Sequence, residues 1–180
     1  MGVIISYLIG SIPFAFLIAR LWGIDIREAG SGNVGTMNTA RSVGWGPALL
    51  VFLLDTAKGI AVVVIAAYWQ VSPYSAAAAA VLGHAYPVWL GGRGGKGLAT
   101  ALGAALYLHQ WGLIAAFAVG WLLIYPWLRH SDLANLMGSV AVAIYAVQLS
   151  GNDARLWLAV MAIIIMLRHL RELIPRRRGN

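Results

Sequence analysis

Glycine and short polar side chains in the stretch 23–46 have the types and spacing of an anion-binding loop. Glycine permits left-handed and tightly turned backbone, so successive amides can point into one concavity and hold an anion. A guanidinium nearby would add donors that suit phosphate. A flexible polar connector is the alternative. The residues expected to form the site are Gly30, Ser31, Gly32, Asn33, Gly35, Thr36, Asn38 and Arg41.

A second glycine-rich turn, 91–97, follows a histidine and leads into the apolar run 98–109. A turn of this kind at a helix start offers free amides at the positive end of the helix dipole. It is not a nucleotide-binding P-loop, because the spacing is one residue short and Gly97 stands where a Mg²⁺-binding Ser or Thr is required. An ordinary hydrogen-bonded helix histidine is the alternative for His84. The residues expected here are His84, Gly94, Gly95, Lys96 and Gly97.

Other charged residues lie in or beside apolar runs. Asp55 and Lys58 are three apart within one run, where each charge costs about 2.5–3.5 kcal/mol on insertion scales. They form either a self-neutralising pair or one wall of a polar cleft. Two further polar stretches contain Asp132 in one and His169 and Glu172 in the other. These residues either bind substrate or are ordinary charged residues at the membrane interface.

Several common catalytic motifs are absent from the sequence, which limits the kinds of reaction that the site could catalyse. The chain has no cysteine, no Gly-x-Ser-x-Gly elbow, no histidine with an acid four or five residues downstream, and no metal-ligand pattern. Many anion-binding groups with few acids or bases suit a substrate that is already activated, such as an acyl phosphate, which has phosphate as its leaving group. Catalysis would then depend on positioning and on stabilising an oxyanion. We expect no metal ion and no cofactor.

Membrane-spanning helices must position these segments. Of 180 residues, 61% are hydrophobic and 11% charged, which excludes a disordered chain or a disulfide scaffold. We predict an all-α, polytopic membrane helix bundle that forms one domain, 1–180, with about seven transmembrane helices. The net charge of +7 then favours a membrane surface over nucleic acid. The apolar runs are 3–22, 47–69, 74–90, 98–109, 111–128, 135–149 and 155–170, of which 98–109 is short and 135–149 marginal.

The distribution of cations predicts the topology. With seven crossings and loop 23–46 in the cytoplasm, twelve of the 13 Lys and Arg lie on or near one face, and only Arg155 lies on the other. The positive-inside rule then puts the N-terminus outside, the C-terminus in the cytoplasm, and the anion-binding loops on the cytoplasmic side. The basic stretch 175–178 is expected to bind anionic lipid head groups.

The order of these motifs is distinctive. They are Gly30-Ser31-Gly32-Asn33-x-Gly35-x-x-Asn38-x-x-Arg41, then Asp55-x-x-Lys58-Gly59, then Gly83-His84-x-x-Pro87 with Gly94-Gly95-Lys96-Gly97-x-Ala99-Thr100. Together they resemble the three motifs of the bacterial acyl-phosphate:glycerol-3-phosphate acyltransferase family. The resemblance implies a seven-helix enzyme of the bacterial inner membrane that transfers a fatty acyl group from acyl phosphate to the 1-hydroxyl of glycerol 3-phosphate. The products would be lysophosphatidic acid and phosphate, at the first acylation of phospholipid synthesis, with no direct need for coenzyme A or acyl-carrier protein.

The resemblance also implies roles for residues. Ser31, Asn33, Gly35, Asn38 and the 94–97 loop would hold the acyl phosphate. Arg41, Lys96 and His169 would engage glycerol 3-phosphate, and Lys58 and His84 would support the site. We expect Ser31, Asn38, Arg41, Lys96 and His84 to be catalytic, and the expected substrate-binding residues are Gly30, Gly32, Asn33, Gly35, Thr36, Lys58, Gly94, Gly95, Gly97, Asp132, His169 and Glu172.

Three positions depart from the family pattern. Met37 replaces a common Thr, Asp132 aligns with a Ser, and Glu172 aligns with an Asn. Two extra carboxylates would oppose a phosphate unless each is paired with a cation. A different hydroxyl acceptor is therefore an alternative. A transporter for a phosphorylated metabolite and a non-catalytic lipid-binding scaffold are two further alternatives, independent of these three positions. The motifs cluster at one face and no inverted repeat is visible, which disfavours the transporter.

Overall fold

The computed structural model describes residues 1–149 and 151–173, and every regular element in these ranges is a helix. This confirms the all-α prediction. The described residues group into two compact units, Met1–Gln110 and a second unit that begins at Trp111. The helices are α1 (Gly2–Gly10), α2 (Phe14–Leu21), α3 (Thr36–Ser42), α4 (Trp45–Tyr68), α5 (Pro73–Ala85), α6 (Leu98–Tyr107), α7 (Trp111–Leu122), α8 (Tyr125–Leu128), α9 (Ser131–Val147) and α10 (Asn152–Leu173), with a 3₁₀ turn at Val88–Leu90.

Within residues 1–149 and 151–173, three helical segments are long and apolar enough to cross a membrane, namely Gly2–Leu21, Trp45–Tyr68 and Trp111–Leu128. The first consists of α1 and α2, with Pro13 at the start of α2. The third consists of α7 and α8, with a proline in the first turn of α8. Proline has no amide hydrogen to continue a helix, which accounts for a break at each of these places.

Other apolar runs differ in length from the prediction. The run 98–109 forms the ten-residue helix α6, about 15 Å long, which is about half of a 30 Å hydrocarbon core. The run 74–90 ends as an α-helix at Ala85, because the residue before Pro87 is pushed out of helical conformation. The run 135–149 begins earlier, at Ser131. The basic stretch 175–178 lies outside the described residues.

Glycines let the helices of the first unit approach closely. A Cβ atom on Gly59 of α4 would lie 2.0 Å from the carbonyl oxygen of Thr100 in α6, and one on Gly103 would lie 2.0 Å from that of Thr56 in α4. Gly83 of α5 similarly packs against the backbone of α1. The glycines of the second and third motifs, Gly59 and Gly83, therefore have packing roles that the sequence analysis did not assign.

The stretch 23–46 is partly helical, where the sequence predicts a polar loop throughout. It contains α3, which starts after Gly35 and carries Arg41 in its last turn. α3 packs on α4, so this polar stretch is attached to the membrane-spanning part of the first unit. Asn38 of α3 holds the preceding loop against this helix through side-chain hydrogen bonds to its backbone.

Candidate functional site

Asn38 is the centre of the first glycine-rich loop. Its Oδ1 atom accepts a hydrogen bond from the backbone amide of Ser31 at 2.9 Å. Its Nδ2 atom donates to the carbonyl oxygens of Ile26, Ala29 and Asn33, each at 3.0 Å. The side chain is buried, and its two Nδ2 hydrogens are shared among the three carbonyl oxygens, so one amide group ties together four backbone groups of the loop.

Gly30 is required beside Asn38. Its φ angle is +57°, and a Cβ atom on it would lie 2.3 Å from Asn38 Oδ1. Ser31, Met37 and Arg41 lie on the exposed side of the same loop and helix. Met37 is 51% exposed, so packing does not explain the replacement of threonine at this position. Arg41 and Ser31 can therefore reach a ligand, whereas Asn38 holds the loop in shape.

An ion-pair cluster that the sequence analysis missed precedes this loop. Asp25 Oδ2 lies 2.7 Å from Arg20 and 2.6 Å from Arg27. Both guanidinium groups also lie over the ring of Phe16, at 5.1 and 4.9 Å. Hydrogen bonding from Arg27 holds the pKa of Asp25 well below its usual range, and the charges of Arg27 and Arg20 act in the same direction. The sequence signal for this cluster is an aspartate flanked by two arginines, Arg20 five residues before it and Arg27 two residues after it.

The second glycine-rich loop folds back on the end of α5. Gly95 N–H donates to the carbonyl oxygen of His84 at 3.0 Å, and Gly92 N–H donates to that of Pro87 at 3.0 Å. Gly97, with φ +87°, is the N-cap of α6. Lys96 is partly exposed just before the helix start. Lys96 thus directly precedes the first amides of α6, and a cation and a helix N-terminus are the two kinds of group that an anion site uses.

The two glycine-rich loops meet at Gly95. A Cβ atom at this position would lie 2.6 Å from the carbonyl oxygen of Val34 and 2.1 Å from His84 Nε2. Only glycine fits between these groups without a shift. The stretches 30–41 and 91–97, which are distant in sequence, therefore pack against each other.

A buried charged network lies below this junction. Lys58 Nζ is 2.8 Å from Asp55 Oδ1 and 2.9 Å from His84 Nδ1, and it donates to the carbonyl oxygen of Ile12 at 3.1 Å. The side chains of Asp55 and Lys58 are each 3% exposed. The predicted Asp55–Lys58 pair is thus present, and His84 belongs to it.

The remaining predicted residues belong to the second unit. His169 Nδ1 lies 2.9 Å from Asp132 Oδ1. His169 is fully buried at the α9–α10 contact, and the Asp132 side chain is 22% exposed. Glu172 is partly buried one turn further along α10. Among the described residues, no group of His, Asp and Glu is arranged to hold a metal ion.

The fold and these loops define a class: an all-helical membrane protein with two packed, glycine-rich loops and cations beside them. A family model described as glycerol-3-phosphate acyltransferase matches residues 1–178. Glycerol-3-phosphate acyltransferases of Wolbachia from Brugia malayi and of Mesorhizobium japonicum are 38% and 42% identical, covering 98% and 94% of this chain and 94% and 87% of theirs. The chain belongs to the glycerol-3-phosphate acyltransferase family.

Solved structures agree with this assignment. The chain is similar to PlsY (YgiH), an integral membrane glycerol 3-phosphate acyltransferase, in its glycerol 3-phosphate form. The TM-score is 0.84 at 36% identity, covering 96% of this chain and 88% of that one. The lysophosphatidic acid form of PlsY matches with a TM-score of 0.82 at 35% identity. The family predicted from the motifs is confirmed.

Proposed function

We propose that this protein transfers a fatty acyl group from acyl phosphate to the 1-hydroxyl of glycerol 3-phosphate. The observation that carries the proposal is the backbone contact between the two glycine-rich loops at Gly95 and Val34. Two anion-binding loops in contact can hold two phosphate groups side by side. Family membership and the glycerol 3-phosphate form of PlsY support the acceptor.

In this proposal different residues bind the acyl-phosphate donor and the glycerol 3-phosphate acceptor. Ser31, Asn33, Gly35 and the 94–97 loop bind the phosphate of the donor, and Asn38 shapes the first loop. Arg41, Lys96 and His169 bind glycerol 3-phosphate. Gly30, Gly32 and Thr36 complete the first loop, and Asp132 and Glu172 adjust the acceptor site. The residues 1–180 act as a single catalytic domain.

The chemistry needs few acid–base groups. The acceptor hydroxyl forms an ester bond to the acyl carbonyl carbon while the bond from that carbon to the phosphate oxygen breaks. The hydroxyl proton leaves with the help of a substrate phosphate, and inorganic phosphate departs. Lys96 and the amides at the start of α6 stabilise the negative charge that develops.

An apolar groove supports a lipid donor. Its lining contains no charged residue, and one lining residue, Leu90, directly precedes the second glycine-rich loop in the sequence. We expect an acyl chain in this groove to lie with its phosphate end toward that loop. The lining residues are Ile12, Pro13, Phe16, Leu17, Trp89 and Leu90.

The proposal includes the topology. Seven transmembrane helices place the N-terminus outside and the C-terminus in the cytoplasm, with the site facing the cytoplasm at the bacterial inner membrane. The positions of twelve of the 13 cations support this orientation. Anionic lipids at the inner leaflet would attract the same cations.

The test uses purified protein in lipid with palmitoyl phosphate and glycerol 3-phosphate. We expect protein-dependent formation of lysophosphatidic acid with one phosphate released for each. Flux of glycerol 3-phosphate into vesicles without acyl transfer would instead support the transporter. Product formation with another polyol phosphate, and none with glycerol 3-phosphate, would identify a different acceptor. The variants Asp132→Ser and Glu172→Asn would show whether these two departures from the family pattern changed the acceptor that the protein uses.

Arg41→Ala sharpens the assignment of the acceptor site. Loss of a bidentate phosphate contact should raise the KM for glycerol 3-phosphate by about 10- to 100-fold, with a smaller effect on the KM for palmitoyl phosphate. Arg27→Ala is the matched control, because Arg27 pairs with Asp25. Normal kinetics of Arg41→Ala would remove Arg41 from the site.

A further inference from the structure

The protonation of His84 follows from its neighbours. Three acceptors surround Lys58 Nζ, namely Asp55 Oδ1, the carbonyl oxygen of Ile12 and His84 Nδ1. A lysine ammonium has three hydrogens, so it can donate to all three. Asp55 Oδ1 lies 3.5 Å from His84 Nδ1, longer than an ordinary hydrogen bond, so the shorter contact of Nδ1 is the one with Lys58 Nζ. A protonated Lys58 makes Nδ1 the acceptor, which assigns a neutral His84 with its proton on Nε2.

The opposite side of the His84 ring faces the junction of the loops. The position of a Cβ atom on Gly95 lies 2.1 Å from His84 Nε2 and 2.6 Å from the carbonyl oxygen of Val34. The backbone carbonyl of His84 also accepts the Gly95 amide at 3.0 Å. One residue thus contacts the second loop through its backbone and its ring, beside the backbone of the first loop.

The network joins this junction to the membrane-spanning helices. Lys58 and Asp55 belong to α4, His84 belongs to α5, and Ile12 lies at the break between α1 and α2. Because Asp55 and Lys58 are buried, the Lys58 ammonium has little freedom to change partners. The orientation of the His84 ring is fixed by elements that do not themselves belong to the loops.

We propose that His84 is a positioning residue rather than a catalytic one: Lys58 holds it as the Nε2–H tautomer, and its ring sets the spacing of the two glycine-rich loops. This inference rests on the proposed function, since the spacing matters only if each loop holds one reactant. The loops would bind their phosphates separately. An error in spacing therefore slows transfer more than it weakens binding.

The experiment compares His84→Asn, His84→Gln and the control His109→Asn. Asn keeps an acceptor near the Nδ1 position for Lys58 but leaves the Nε2 position empty, whereas Gln extends to it. We expect His84→Asn to lower kcat by roughly 10- to 100-fold with KM for both substrates changed less than threefold. His84→Gln should recover part of kcat, and His109→Asn should resemble the unmodified protein.

A second measurement does not depend on activity. Protein labelled with ¹⁵N-histidine should show at pH 7 the signal of a neutral histidine with its proton on Nε2 that disappears in His84→Asn and remains in His109→Asn. A cationic or Nδ1–H histidine at this position would overturn the inference, as would normal kcat in folded His84→Asn. An unmodified protein without acyltransferase activity would instead refute the proposed function, and the tautomer would still test the role of His84.

Discussion

The two buried histidines of this protein have opposite partners. In the first unit, His84 Nδ1 faces the Lys58 ammonium, which can only donate. In the second unit, His169 Nδ1 faces the Asp132 carboxylate, which when ionised can only accept. A protonated Lys58 therefore favours the Nε2–H form of His84, and an ionised Asp132 favours a proton on Nδ1 of His169. The neighbouring charge thus selects a different form of the same side chain, and of these two histidines only His84 contacts an ion pair that is buried on both sides.

Among the variants that test this comparison, Lys58→Met should cause the largest loss of stability, because it removes the cation that contacts both His84 and Asp55. It leaves Asp55 buried without its cation, and breaking a buried pair costs about 3–5 kcal/mol. Thermal unfolding in detergent should show a correspondingly large loss of Tm. The double variant Asp55→Asn with Lys58→Met removes both charges and should recover much of it. Equal stability of the single and double variants would contradict a buried ion pair.

Gly95→Ala tests the other face of His84. The added methyl group would overlap the space of His84 Nε2 and the Val34 carbonyl oxygen, and such overpacking costs about 1–3 kcal/mol. We expect lower Tm and a greater loss of kcat than of substrate binding. Gly46→Ala is the control, because nothing lies within 4 Å of a Cβ atom there. Similar results for both glycines would mean that the loops do not pack as described.

Asp132→Asn tests the contact between His169 and the Asp132 carboxylate in the second unit. Asn can still accept from Nδ1, but it loses the charge, which is worth about 1 kcal/mol of the hydrogen bond. A small loss of Tm and a two- to tenfold change in KM for glycerol 3-phosphate are expected. The ¹⁵N signal of His169 should keep its proton on Nδ1. A loss of stability as large as that of Lys58→Met would erase the contrast between the two histidines.

Asp25→Asn extends the series to an ion pair at the surface and should have the smallest effect. Hydrogen bonding from Arg27 lowers the pKa of Asp25 below its ordinary value of 3.8, so the stabilisation is present above about pH 4 and is lost as pH falls further. Unfolding followed from pH 7 down to about pH 2 should show the stability difference between the two proteins narrowing below about pH 4. A constant difference across this range would exclude the ion pair as its source.

Much of the architecture is contained in the sequence. Continuous apolar runs with few charges require helices in a membrane, since backbone hydrogen bonds must be satisfied locally there. The glycine spacing around Asn38 and Lys96 indicates two anion-binding loops, and the motif order identifies the family. The apolar runs and the glycine-rich loops are local features, and the order of the motifs is read directly along the chain.

Only the tertiary structure decided which of these residues act together. Lys58 and His84 are 26 positions apart, and their contact depends on how α4 and α5 pack. No periodicity shows that Asn38 would turn inward to hold four backbone groups, or that Gly95 would lie against Val34. Side-chain identity sets what a group can donate or accept. The partner that it meets is determined by packing between distant segments, which a linear sequence does not express.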